Sequence, residues 1–156
     1  KSLVWIAVAC AACGSDANVA GNYTVALTNG ANGCSIGNWD PGAQPTATAQ
    51  ITQAGSDVTL TVQGLAGIGV AALLGTNVMT GDVSGSNVLL EVTGTQGFTT
   101  GNCAYTFNSR LSADQSGDTL SGHIDYRAAT NGGTDCGTRE DCVSRQDFNA
   151  TRPPAP

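Results

Sequence analysis

The single histidine of the chain, His123, lies midway between Ser121 and Asp125. Serine, histidine and aspartate are the side chains of a hydrolase catalytic triad. Apolar and polar residues alternate around these positions, which predicts a β-strand. Residues two apart on a strand lie ~6.5–7 Å apart on one face, so hydrogen bonds between their side chains would need stretched conformations. We therefore interpret the three residues as part of a solvent-facing polar surface and predict that the chain is not an enzyme.

A second group of chemically capable residues is acidic. Asp135, Glu140 and Asp141 lie close together in one polar segment, and their carboxylates could bind calcium with loop carbonyls. Their spacing does not match that of a calcium-binding loop, however. The cysteines after residue 13 form no close pairs and the histidine is isolated, which disfavours zinc. We predict a solvated acidic loop, with no metal and no cofactor.

The glycine-rich segment 64–75 carries a nucleotide-binding pattern. Residues 67–72 read GIGVAA and match G-x-G-x-x-A. Only about five residues remain before Gly75, whereas a crossover helix needs roughly a dozen. We interpret the segment as an apolar loop or a one-turn helix that plugs or lids the fold.

The N-terminal residues 1–13 place an apolar run after a positive charge, which is typical of an export signal. The run is too short to span a bilayer. Residues 11–15, AACGS, resemble the lipobox of bacterial lipoproteins, in which small residues precede an acylated cysteine. The resemblance implies a lipid anchor at Cys13, with Cys10 as a second candidate, and a location in the cell envelope, anchored to the outer membrane.

Four cysteines follow the predicted signal: Cys34, Cys103, Cys136 and Cys142. An even number in an exported chain predicts two disulfides, for which three connectivities exist. We favour a bond between Cys136 and Cys142, which would close the loop before the last strand. The second bond would then join Cys34 to Cys103.

The elements that must position these residues are strands. From Asn102 to Ala128, apolar and polar residues alternate on both sides of Ser116-Gly117-Asp118, which predicts a long hairpin. Similar segments elsewhere bring the predicted strands to eight: 19–27, 46–53, 57–63, 78–83, 87–95, 103–112, 120–127 and 144–151. No long helical pattern separates them, which favours an all-β antiparallel up-and-down barrel. A β-sandwich of the immunoglobulin type is the alternative.

The predicted organisation is therefore a signal at 1–13, a tether at 14–18, a barrel domain at 19–152 and a tail at 153–156. The formal net charge is −6, and no cation lies between Gly14 and Ser109. Nucleic-acid binding requires a basic surface, so that class of function is excluded. Electrostatic binding to an anionic membrane is disfavoured for the same reason.

The layout of the chain resembles lipocalin-like barrels. Gly21-Asn22-Tyr23 lies where lipocalins carry G-x-W in the first strand, and Asp125-Tyr126 is similar to their second short motif. In lipocalins an arginine near the last strand covers the first-strand aromatic residue, a role that Arg145 or Arg152 could take here. An eight-stranded barrel has room for filling side chains or for one small ligand.

Two functions are compatible with such a barrel. In the first, it holds a small apolar or amphipathic ligand against inward-pointing residues: Tyr23, Val25, Leu60, Leu90, Tyr105, Phe107, Ile124, Tyr126 and Phe148. In the second, the interior is filled, and loops 28–45 and 130–142 contact other envelope components. An enclosed apolar cavity of ~300 Å3 or more would favour the ligand-binding function.

Overall fold

The computed structural model describes residues 16–154. The predicted export signal, with Cys10 and Cys13, lies outside the described residues, as do the first two tether residues and the last two residues of the tail. The described part contains strands β1 (Gly21–Asn32), β2 (Thr46–Ala54), β3 (Asp57–Gln63), β4 (Val78–Ser84), β5 (Asn87–Val92), β6 (Phe98–Thr100), β7 (Cys103–Ser116), β8 (Thr119–Thr130) and β9 (Ser144–Thr151), helix α1 (Gly64–Leu74) and a short 3₁₀ helix (Gly137–Arg139).

Eight of the strands form a closed antiparallel barrel. Each pairs with the next along the chain, except that β5 pairs with β7, and β9 closes the barrel by pairing with β1. The additional strand, β6, pairs with the first residues of β7. The predicted eight-stranded up-and-down barrel is confirmed, and the sandwich alternative is wrong. Closure satisfies the backbone groups that free sheet edges would leave unpaired.

The barrel core follows the alternation of residue types. In β3, for example, Val58 and Leu60 are buried, whereas Asp57 is exposed. Three strands extend further than predicted: β1 to Asn32, β7 to Ser116 and β8 to Thr130. The extensions of β1 and β7 are mainly polar and that of β8 is Ala128-Ala129-Thr130, so large apolar residues stop before the backbone pairing does.

One end of the barrel, which we call the turn end, carries three two-residue turns: Gly55-Ser56, Gly85-Ser86 and Gly117-Asp118. The glycine in each has a φ angle between 59° and 65°. A type II′ turn requires a positive φ at its first central residue, and its twist matches that of the strands it joins. The glycines therefore permit the tight connections at this end.

Residues 16–19 lie across the turn end. The amide of Ala17 donates to the carbonyl of Gly85 (2.8 Å), and the amide of Gly85 donates to Asp16 Oδ1 (2.9 Å). The amide of Val19, whose side chain is fully buried, donates to Gln53 Oε1 (2.8 Å). These contacts hold the last residues of the predicted tether against the barrel.

Arg152 covers the first-strand aromatic residue at the turn end. Its Cζ lies 5.9 Å from the centroid of the Tyr23 ring. Its Nε donates to Asp118 Oδ1 (3.0 Å), and its Nη1 donates to the carbonyl of Ala20. The other candidate, Arg145, binds Asp125 on the outer surface instead.

The opposite end, which we call the loop end, carries α1 and the segments 33–45, 93–102 and 131–143. The expectation of a loop or one-turn helix at 64–75 is wrong, because α1 has 11 residues. Its leucines and alanines are strong helix formers and outweigh the glycines. The helix ends at Gly75, which has a φ of 85°. No helix within residues 16–154 is long and apolar enough to cross a membrane.

Two disulfides join segments of the loop end, but not in the pairing that we favoured from sequence. Cys34 is bonded to Cys142, and Cys103 to Cys136. The pairing of β1 with β9 explains the first bond, because both cysteines lie two residues beyond the paired positions Asn32 and Ser144. Cys136 consequently reaches back to the start of β7.

Candidate ligand cavity

The barrel interior contains an apolar cavity of about 90 Å3. Side chains from every barrel strand line it, and α1 contributes Ala66, Val70 and Leu74 on the loop-end side. A Cβ at Gly67 would overlap the carbonyl oxygen of Val62, so this glycine lets α1 pack closely on β3. The volume is below the ~300 Å3 typical of sites for drug-sized ligands. The cavity therefore has room for a few non-hydrogen atoms.

Seven of the nine residues predicted to point inward against a ligand line the cavity: Tyr23, Val25, Leu60, Leu90, Ile124, Tyr126 and Phe148. Tyr105 and Phe107 do not belong to the lining. No ligand contact of any of these residues is established, and their role in binding stays a prediction.

Tyr105 and Phe107 lie in a separate aromatic cluster under the loop end. Phe98 stacks on Tyr105 with ring centroids 5.5 Å apart, and Tyr105 meets Phe107 edge to face at 5.5 Å. The guanidinium of Arg139 lies 4.5 Å from the centroid of the Tyr105 ring. Tyr105 and Phe107 lie outside the cavity because β5 pairs with β7 only from Ser109 onward. The first residues of β7 therefore lie beyond the closed barrel.

A small polar region interrupts the apolar lining at Ser109, Tyr126 and Gln146. The Tyr126 hydroxyl donates to Gln146 Oε1 (3.1 Å), and Gln146 Nε2 donates to Asn29 Oδ1 (2.7 Å). Asn29 Nδ2 in turn donates to the carbonyl of Asp40 (3.2 Å). This chain of hydrogen bonds connects the cavity wall to the segment 33–45 and fixes the Gln146 side chain.

Ser109 differs from its polar neighbours. It is 4% exposed, and its Oγ has no hydrogen-bond partner among the described residues. A buried hydroxyl without a partner is uncommon in folded proteins because its lost hydration is not compensated. Because Ser109 belongs to the cavity lining, its hydroxyl is a polar group of that wall without a partner among the described residues.

The electrostatic character of the cavity is neutral. Among the described residues, none that lines it carries a charge. Burial raises the pKa of Tyr126 to about 12, so its phenol remains protonated at neutral pH. Trp39 packs edge to face on Tyr126 with ring centroids 5.6 Å apart and shields it at the loop end. A buried ion would find no counter-charge in this cavity.

The Ser121, His123 and Asp125 positions lie on the outer surface of β8 and form no triad. Asp125 is not solvated as predicted: it is 8% exposed because Arg145 covers it, with Nε and Nη2 at 2.7 and 2.8 Å from its two carboxylate oxygens. These hydrogen bonds lower the pKa of Asp125. Its neighbours in register extend the pair into a row of alternating charge: Glu91, Arg110, Asp125 and Arg145.

Of the acidic residues near the C-terminal end, Glu140 and Asp141 are exposed, and Asp135 bonds to the backbone. Asp135 Oδ2 accepts a hydrogen bond from the amide of Asn102 (2.7 Å), beside the disulfide between Cys103 and Cys136. Within residues 16–154, no three histidine, cysteine or acidic side chains converge to hold a metal ion.

Ser109, Gln146 and the three α1 residues are among the lining residues that were not predicted from sequence to contact a ligand. A signal for Gln146 was present, because the alternation that points Phe148 and Ala150 inward also points position 146 inward. No comparable signal identified α1, since its apolar residues lie on all sides of the helix.

The chain matches no protein-family model and no curated protein sequence. Among solved structures, it is similar to one described as "Structure of EF1p2_mFAP2b bound to DFHBI". The similarity covers 86% of this chain and 94% of the other, at 9% sequence identity and a TM-score of 0.44. At that TM-score it supports no inference about function.

Proposed function

We propose that this chain is a cell-envelope lipoprotein whose barrel holds a small apolar or amphipathic ligand. The observation that carries the ligand-binding part is the apolar cavity in the barrel interior, whose lining includes the polar side chains of Ser109, Tyr126 and Gln146. Binding sites for small molecules commonly combine an apolar lining with a few placed polar groups. The volume of about 90 Å3 is below the ~300 Å3 that would favour a ligand of ordinary size, so the proposal is restricted to a molecule of a few non-hydrogen atoms.

Xenon provides a direct test, because it binds in dry apolar cavities. We expect xenon under pressure to shift the methyl NMR signals of Leu60 and Leu90, which line the cavity. Leu65, which is 88% exposed on α1, is an internal control and should not shift. If the cavity methyl groups do not respond, the interior is filled, and the ligand-binding proposal fails.

The natural ligand can be sought by native mass spectrometry of the protein purified from the envelope. A retained small molecule that mild denaturation releases would support the proposal and identify the ligand. The same protein refolded from denaturant is the control, because refolding removes a natural ligand.

The lipoprotein part rests on the lipobox-like sequence before Cys13 and is supported by two disulfides, which persist in oxidising compartments. We expect acylation of the protein when it is produced in a bacterium that processes lipoproteins. Cys13→Ser should abolish it, whereas the matched variant Cys10→Ser should retain it. An intact mass without acyl chains in the parent protein would contradict the anchor.

The alternative function, contact with another envelope component, has one specific observation in its favour. Leu65 and Ile68 are 88% and 68% exposed on the outer side of α1. Exposed large apolar side chains at neighbouring positions are typical of interaction surfaces. A photo-crosslinking amino acid at position 65 should then capture a defined envelope protein, whereas one at position 112 on the outer barrel wall should not.

A further inference from the structure

We infer that the cavity selects an uncharged ligand whose single oxygen, in a hydroxyl or carbonyl group, pairs with Ser109 Oγ. This inference rests on the proposed ligand-binding function and adds the chemical class of the ligand. It depends on three observations. The hydroxyl of Ser109 has no hydrogen-bond partner among the described residues, the neighbouring Tyr126 and Gln146 side chains are hydrogen-bonded to each other, and no described residue of the lining is charged.

The position of Ser109 in the barrel wall determines where the polar group of the ligand would bind. Ser109 lies opposite Tyr126 in the pairing of β7 with β8 and opposite Val92 in the pairing with β5. The Tyr126 hydroxyl donates a hydrogen bond to Gln146 Oε1, and Gln146 Nε2 donates one to Asn29 Oδ1. The neighbouring amide therefore already has a donor and an acceptor contact, whereas Ser109 Oγ has no hydrogen-bond partner among the described residues. A serine hydroxyl both donates and accepts, so it can pair with an alcohol or a carbonyl oxygen.

The charge of the lining excludes ionised ligands. Burying a carboxylate or an ammonium group without a counter-charge has a large free-energy cost. All five arginines of the chain lie outside the cavity lining, and the single lysine, Lys1, is outside the described residues. The fatty-acid carboxylate is thus disfavoured, whereas a short neutral alcohol, aldehyde or ketone suits both the volume and the hydroxyl.

The test compares three probes of similar size: butan-1-ol, pentane and butanoate, titrated at pH 7 and followed by the methyl NMR signals of Leu60 and Leu90. We expect butan-1-ol to bind and butanoate not to bind. Ser109→Ala should weaken butan-1-ol binding roughly three- to tenfold, as expected for one hydrogen bond, and leave pentane binding unchanged. Ser112→Ala makes the same change on the outer face of β7 and should alter neither affinity.

Ser109→Ala is expected to fold, because it removes a buried hydroxyl that has no partner within the described fold. The unliganded variant should be at least as stable as the parent protein in urea unfolding. A clear loss of stability would show that the hydroxyl is satisfied internally and would overturn the inference.

The two proposals fail in different ways. If pentane binds but Ser109→Ala leaves the butan-1-ol affinity unchanged, or if butanoate binds as well as butan-1-ol, the inference is wrong and the ligand-binding function stands. If neither pentane nor butan-1-ol affects the cavity methyl signals, both proposals are wrong.

Discussion

The two ends of the barrel are held together in different ways. At the turn end, three two-residue turns connect the strands, and residues 16–19 and Arg152 cover the opening through hydrogen bonds. At the loop end, the connecting segments are long and mostly polar, and two disulfides join them. The turn end depends on backbone geometry, whereas the loop end combines two covalent bonds with an apolar cluster around Leu74, Phe107 and Tyr126.

The difference follows from composition. A tight turn adds few residues whose entropy must be lost, but a long loop must be compensated by contacts or cross-links. The segments 33–45 and 131–143 supply few apolar side chains, chiefly Ile36, Trp39 and the cysteines themselves. In these two segments the disulfides therefore add to the limited apolar burial. The candidate ligand cavity lies between the turn end and the loop end, and α1 covers it on the loop-end side.

The largest effect should come from removing a cross-link at the loop end. Cys34→Ala with Cys142→Ala opens a bond between residues 108 apart, and we expect the free energy of unfolding to fall by about 4–5 kcal/mol. Cys103→Ala with Cys136→Ala removes a bond between residues 33 apart, and we expect the free energy of unfolding to fall by about 3–4 kcal/mol.

Urea unfolding measures both losses, and hydrogen exchange locates them. Protection should decrease in segments 33–45 and 131–143, while the amides at the three turns keep theirs. An equal loss of protection at both ends would contradict the distinction between them.

A smaller effect is expected from Asp125, whose ion pair with Arg145 lies on the barrel wall between the two ends. Asp125→Asn should reduce the free energy of unfolding by about 1–2 kcal/mol at pH 7, a value limited by the exposure of Arg145. Because the folded-state pKa of Asp125 is lowered, this stabilisation is complete above the unfolded-state pKa of ~3.9 and is lost as pH falls through the folded-state value.

The measurement is the stability of both proteins in urea from pH 7 down to pH 3. The difference between them should be constant at neutral pH and shrink below about pH 4. A difference that increases on acidification would show that the sign of the pKa shift is wrong. Asp114→Asn on β7, an exposed position, is the control and should have little effect.

The smallest effect concerns the turns themselves. Gly117→Ala places a side chain at a φ of 59° and should destabilise the protein by about 1 kcal/mol, although nothing lies close to the new methyl group. Gly69→Ala makes the same change in α1, at an exposed position without positive φ, and should stabilise it by about 0.5–1 kcal/mol. Thermal unfolding of the two variants compares them directly. Two shifts of the same sign would show that backbone geometry does not govern the turn end.

Much of the barrel could be predicted from sequence because each strand alternates apolar and polar residues over several positions. The alternation predicted the inward side of Tyr23, Leu60 and Leu90, and glycine-containing turns predicted the hairpins. The limits of the strands were less predictable, since backbone pairing continues through polar residues such as Asn32.

The disulfide connectivity and the extent of the cavity depend on three-dimensional closure, which no single segment encodes. Cys34 and Cys142 become neighbours only once β1 pairs with β9 in a particular register. Tyr105 has the residue type and alternation expected of a cavity residue, yet the shorter β5 leaves it beyond the closed barrel. A local pattern specifies the face of a strand but not the height of a residue within the barrel.

If Cys13 carries the proposed lipid anchor, the route by which the chain enters the barrel would determine the orientation of the protein at the membrane. Asp16 and Ala17 are bound at Gly85, at the end opposite α1. Two residues separate Cys13 from Asp16, so their Cα atoms lie ~11 Å apart at most. With an acyl chain on Cys13, the turns would therefore face the lipid headgroups and α1 would project into the aqueous compartment. Such a protein would exchange its ligand with soluble carriers or with a facing surface, rather than extract it laterally from the membrane that anchors it.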